Sequence, residues 1–408
     1  AYLKTSQVAA FTTGQIKTLS TGQIIGLSAS ALLSLSSDQL QAITTDSVNA
    51  LRASQIMQFG SQQINALTTS QIASLTATQT AVLKATALSA LSTSQLAAFS
   101  TADIAALTLR QIVALTTTQL AGLTSTAVTA LGSAQLSTLN TDQVVALTTL
   151  QIAALRTDQI TALTSDQIVA FGTTQVQALS AKELSSFTTA QIKTFETGDF
   201  ASITTKQIQS ITSDQAAALT TDEIVALTTA QASALTSVDV AALQTGQIAA
   251  IQTDDLAVLT PKQIGALSSD QISALTTDQV PALTTLQMVT FNTAQIISLT
   301  SDQIIALNSQ QLGAISASVL PYMRSSQIAS IQPSDIVGLN AKQMASLTNY
   351  QIMALTTDQI PQLTIPQINV LNSSQASVLA TSQIAALTTD QIPAFSAADI
   401  TAFSTAQL

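Results

Sequence analysis

The sequence predicts an all-α fold: a solenoid of very short capped helices, one per eight-residue repeat. Three observations carry that expectation. First, every eighth position from Leu3, through Phe11, Leu19 and Leu27 to Phe395 and Phe403, is Leu, Phe, Ile or Met, so the 408 residues form 51 octads without an insertion or deletion. A fixed short period is the mark of a repeat architecture whose units lean on their neighbours. Second, most octads place Ser or Thr directly after this apolar column and Gln three residues later, the spacing of a helix-capping box. Third, only 12 Gly occur while Ala is abundant, which suits short helices better than tight β corners.

The octad from Leu163 to Ala170 shows the logic position by position. Leu163 is the apolar residue before the cap. Thr164 is the cap, whose hydroxyl accepts from the backbone of Gln167 while the Gln167 side chain reaches back to the cap N–H. Ser165 and Asp166 fill the first turn, where an acid suits the positive helix end. Ile168, five residues after Leu163, closes a hydrophobic staple on it. Ala170 occupies a column that is mostly Ala, Ser, Gly or Thr, as at Ala50, Ala106, Gly122 and Ser210, which implies close backbone approach. Tyr322 and Gln362 break that rule and are expected to mark local bulges.

Gln fills the third helical position in 38 octads, and Asp or Glu in eight more, including Asp103, Glu183 and Asp255. Exceptions at the cap include Lys4, Arg52 and Gln244. Pro261 and Pro333 fall at the first helical position and Pro366 at the second, where no intrahelical N–H is required. Pro281, Pro321, Pro361 and Pro393 follow the Ile column directly, which limits each helix to one or two turns. Helices that short cannot stand alone; the octads must share a core.

Other periodic folds fit less well. One continuous helix would wind an eight-residue apolar stripe around itself, and a heptad coiled coil needs a different period. In an unbroken strand the two apolar columns would fall on opposite faces. A β-solenoid with Thr and Gln ladders is the alternative architecture.

Composition narrows the function. Hydrophobic residues make up 46% of the chain and charged residues only 8%, against about 25% in an average soluble protein. A net charge of −10 and twelve scattered basic residues argue against nucleic acid as a partner. No apolar run approaches a membrane span. There is no Cys, His or Trp, so disulfides, thiol chemistry and His-dependent nucleophiles are excluded. Ser–Lys chemistry near Lys206 or Lys262 competes with the simpler reading of solvated lysines on a repeat face. The pair Asp254–Asp255 sits in helix-start columns that are filled all along the chain. Neither an EF-hand loop nor a Gly-Gly-x-Gly-x-Asp repeat occurs. The nine Phe of the Leu column (Phe11, Phe59, Phe99, Phe171, Phe187, Phe195, Phe291, Phe395 and Phe403) read as core. The expectation is therefore a non-enzyme with no catalytic, cofactor-binding or metal site and no cofactor.

The octads LTSDQIVA, LTTDQIPQ and LTTAQASA resemble the LTxxQIxAL octapeptide arrays of very long secreted or surface proteins of Gram-negative bacteria. Such proteins often carry adhesin, haemagglutinin-like or haem-utilisation labels. The resemblance runs through the whole chain and implies export to the cell surface or beyond. It lends nothing to haem binding here, since His and Cys are absent and five Met with three Tyr offer no evident axial ligand site.

Residues 1–408 are expected to form a single uninterrupted array. The first octads and the last look like all the others rather than like polar-faced solenoid caps, so the sequence reads as a window of a longer chain. The expected function is structural: a long extracellular rod or filament serving as surface appendage, adhesin stalk or matrix fibre. Self-association is the expected partnership, with host or cell-surface glycans or proteins as further partners. The alternative is a solenoid binding scaffold for a peptide or glycan.

Overall fold

A computed structural model describes residues 3–408. Every regular element among them is helical: α-helices of four to six residues and 3-10 turns of three, joined by extended linkers, with no strand. The β-solenoid alternative is thereby excluded. The chain divides into two units, Ala1–Ile203 and Thr204–Leu408.

Each helix starts as its sequence dictates. Thr164 is extended, and its N–H donates to Gln167 Oε1 at 2.9 Å while Gln167 N–H donates to Thr164 Oγ1 at 3.3 Å. Leu163 and Ile168, the two arms of the staple, are both buried. Away from the two ends of the chain, where Leu3, Ile392 and Leu408 are exposed, the Ile column is almost wholly inaccessible and the Leu column nearly so, and together they make the core. Consecutive members of the Leu column touch: the rings of Phe187 and Phe195 meet edge to face with centroids 5.2 Å apart. Seven of the nine phenylalanines in that column are buried, and Phe11 and Phe403 are half-buried.

The four prolines after the Ile column convert their helices to 3-10 turns, Val280–Ala282, Leu320–Tyr322, Ile360–Gln362 and Ile392–Ala394. Without that N–H the α-type bond to the first turn cannot form, and the chain tightens to bonds such as Ala282 N–H to Gln279 O at 3.1 Å. Tyr322 and Gln362 do not produce the expected bulges. Each ends a 3-10 turn and points to solvent, and the neighbouring Met323 and Leu363 keep their buried places. At the exposed end of a tightened turn a large side chain has somewhere to go.

Successive octads form courses. In the first unit Gln71 bonds to the carbonyls of Leu40 and Ile43, which straddle the junction between octads 35–42 and 43–50. In the second, Gln343 does the same with Leu312 and Ile315. Within each unit, an octad carrying such a Gln thus rests on the junction between the octads three and four before it, as bricks rest on a joint. One superhelical turn holds between three and four octads.

Close stacking explains the small-residue column. A Cβ built on Gly338 would stand 2.1 Å from the Ser309 carbonyl oxygen, and one on Gly122 would lie 3.2 Å from Thr93 Cβ. Gly246, in a first helical turn, has nothing within 4 Å. Gly338→Ala should therefore force backbone apart and destabilise the second unit by about 1–3 kcal/mol. Gly246→Ala should stabilise by about 0.5–1 kcal/mol, because Gly costs helix. Thermal and urea unfolding of the two variants measures both; equal shifts would mean the courses do not approach as described.

Candidate functional site

The repeated chemical group of this chain is the carboxamide at the third helical position, and its surroundings are the same in octad after octad. Gln159 is fully buried. Its Oε1 accepts from the Arg156 N–H at 2.9 Å, and its Nε2 donates to the carbonyls of Val128 and Leu131, both at 2.9 Å. One side chain caps its own helix and satisfies helix-end carbonyls one turn below. Free helix termini need such partners, and buried polar groups are costly without them.

The capping half is independent of what the cap residue is. Gly60, Arg52 and Ala380 have no side-chain acceptor for a full box, yet each N–H donates to the Gln three residues on, at 3.1, 2.8 and 2.6 Å. A Gln therefore tolerates Lys4, Arg52 or Gln244 at the cap. The sequence pattern discloses this half. The inter-turn half has no signature, because its acceptors are backbone carbonyls that every residue carries.

Acids in the same column accept but cannot donate when ionised. Asp103 takes the Ser100 N–H at 2.9 Å, the Ser100 hydroxyl at 2.6 Å and the Thr80 hydroxyl at 3.3 Å. Glu183 takes the Ser180 N–H and lines a groove with Leu155 and Arg156. Burial pushes the Glu183 carboxyl above its usual range, opposed by its bonds to Ser180 and by nearby Lys182. Burial likewise raises Asp199 with help from Glu196, and Asp255 with help from Asp254.

The remaining candidates are dispersed. Asp254 is exposed while Asp255 is buried, so the pair does not face a common space. Lys206 and Lys262 both stand on exposed first-turn positions. Arg156 and Asp158 form an exposed ion pair at 2.8 Å, which with the Ser133 hydroxyl holds the Asp158 carboxyl below its usual range; solvent screening leaves such a pair a minor contributor. Among the described residues no three acids, histidines or cysteines gather, and no helix is long and apolar enough to cross a membrane. Grooves do occur where helix starts of adjacent turns face each other: Leu83–Thr86 against Thr108–Gln111, and Leu155–Asp158 against Ser180–Glu183. They repeat one architectural feature.

Replacing Glu183 by Gln restores donors toward the carbonyls below and should stabilise the first unit by about 1 kcal/mol at pH 7. Gln159→Glu does the opposite and should cost about 2–3 kcal/mol there. A carboxyl raised by folding is fully tolerated below its unfolded pKa of about 4.3 and loses stability as the pH climbs through its folded value. Both differences should therefore shrink in acid and widen toward neutrality. Unfolding curves from pH 3 to 8 check this, and an E183Q chain less stable than the parent at pH 7 would contradict it.

Comparison with known families follows the same periodicity. The sequence profile of the ALTTAQ repeat matches residues 81–117, 112–149, 141–173, 192–229, 248–285 and 328–365, together just over half of the chain. No curated protein matches the chain. A repeat array is what the octads and the stacked helices require, and the chain belongs to the ALTTAQ repeat family.

Proposed function

We propose that this chain is a structural protein: a self-associating length of a long extracellular filament at a bacterial cell surface, as appendage, adhesin stalk or matrix fibre. The observation that supports this reading is the use made of the glutamines. The polar group repeated most often in the buried interior is consumed in capping helices and joining turns, octad after octad. Chemistry of this kind builds length rather than a pocket. Low charge supports it further, because weak electrostatic repulsion favours association between copies. The octads' resemblance to arrays of exported Gram-negative proteins supports the extracellular part.

No enzymatic role enters this reading, and the dispersal of acids and lysines is in keeping with that. Antibody against the octads, applied to intact cells that make the protein, should label the outer surface, and electron microscopy of the shed material should show fibres longer than one chain. Label confined to the cytoplasm would defeat the reading. Isolated single chains that capture a glycan or peptide would instead favour a binding scaffold.

A further inference from the structure

Two tyrosines depart from the rule that aromatic residues serve the core. All ten phenylalanines are buried or half-buried, whereas Tyr322 and Tyr350 are 59 and 77% exposed, and no other aromatic residue among those described is exposed. The array has no need of either ring. Tyr322 stands in the column that Ala, Ser, Gly or Thr fills elsewhere, and Tyr350 stands at a first-turn position that is mostly small or acidic in other octads.

Stacking brings the two together within the second unit. Gln351, next to Tyr350, donates through Nε2 to the carbonyls of Leu320 and Met323 at 2.9 and 2.8 Å, and these bracket Tyr322. The Tyr350 carbonyl accepts from the Ser325 hydroxyl at 3.3 Å. Residues 28 apart in the chain are thus neighbours across adjacent turns.

A lone cation stands beside them. Met323 turns into the core, while Tyr322 and Arg324, on either side of it in the chain, are exposed. Arg324 is the only charged residue in octads 315–322, 323–330 and 347–354. Among the described residues no carboxylate pairs with its guanidinium. Met353, one helical turn after Tyr350, is 54% exposed.

Tyr, Arg and Met are residue types enriched where proteins bind one another, and Tyr and Arg dominate the binding energy there. A guanidinium presents a fork of donors that fits a carboxylate. A methionine thioether adapts to an apolar side chain. Peptides carry both kinds of group, and a glycan lacks the second.

We propose that Tyr322, Arg324, Tyr350 and Met353 form a docking surface for an acidic peptide segment of another protein. A carboxylate of that segment pairs with Arg324, and a neighbouring apolar side chain lies against the tyrosine rings and Met353. The positive charge of Arg324 in otherwise neutral octads selects an acidic occupant. Such docking goes beyond the filament reading and does not require it.

The test uses the full chain as bait for a library of random peptides, followed by titration of the selected peptides by fluorescence anisotropy. Selected peptides should carry Asp or Glu close to an apolar residue. Arg324→Gln should weaken their binding at least about tenfold, and Tyr322→Ala with Tyr350→Ala by a similar factor. Gln is native to the cap column at Gln244 and Gln252, and Ala to the two tyrosine columns at Ala106 and Ala102, so the fold should tolerate these changes. Circular dichroism confirms that the helices remain. Val238→Ala with Lys262→Gln removes an exposed apolar side chain and an exposed cation elsewhere in the second unit, and should bind like the parent.

A charge-exchange arm isolates the ion pair. Arg324→Glu should abolish binding, and a peptide whose acid is replaced by Lys should bind that chain. Added salt should weaken the parent complex. Selection of peptides without an acid, or equal binding by the Arg324→Gln chain, would overturn the proposal. Arg324-dependent binding of polygalacturonate, a uronic-acid polymer, with no peptide selected would make this a glycan site and overturn it too. Self-association of the parent that the tyrosine variant abolishes, again with no peptide selected, would give the surface to a second copy instead. In none of these cases does the filament reading fall with it.

Discussion

Everything in this structure depends on one side chain satisfying two sets of backbone groups. The carboxamide at the third helical position closes the N-terminus of its own short helix with its oxygen and the C-terminal carbonyls of an earlier turn with its nitrogen. Helices of four to six residues have nearly all their backbone groups at an end, and burying those ends unpaired is prohibitive. Asn is too short for both reaches, and Glu has no donor when ionised. That is why Gln fills this column so persistently, and why the buried acids that replace it at Glu183, Asp199 and Asp255 have their carboxyls pushed toward the neutral form.

The remaining columns follow from that bond. Its reach fixes the distance between turns, which presses small residues such as Gly122 and Gly338 against backbone. Its placement over a junction fixes the offset between courses, and the offset in turn sets which octads share a face. An octad is therefore a local rule with long-range consequences: eight residues determine a helix, and three to four octads a turn.

Much of the fold was legible because local chemistry writes itself in side chains. The Ser/Thr-x-x-Gln box, the Leu163–Ile168 staple and the placement of Pro261 and Pro281 all name their purpose. The number of octads per turn was not legible, since the Val128 and Leu131 carbonyls that receive Gln159 carry no letter of their own. The bulges expected at Tyr322 and Gln362 do not form, because both large side chains turn to solvent and leave Met323 and Leu363 buried.

The register between turns follows from the glutamine bonds, and the absence of cysteine allows it to be measured directly. Ser133 Oγ and Asp158 Oδ2 lie 3.0 Å apart across adjacent turns. A chain carrying Ser133→Cys and Asp158→Cys should form an intramolecular disulfide rapidly under mild oxidant. Pairs that join Ser133→Cys to Leu150→Cys or Asp166→Cys, one octad short or one octad beyond, should not. Preferential bridging of either of those pairs would contradict the stacking described, and with it the role assigned to the glutamines.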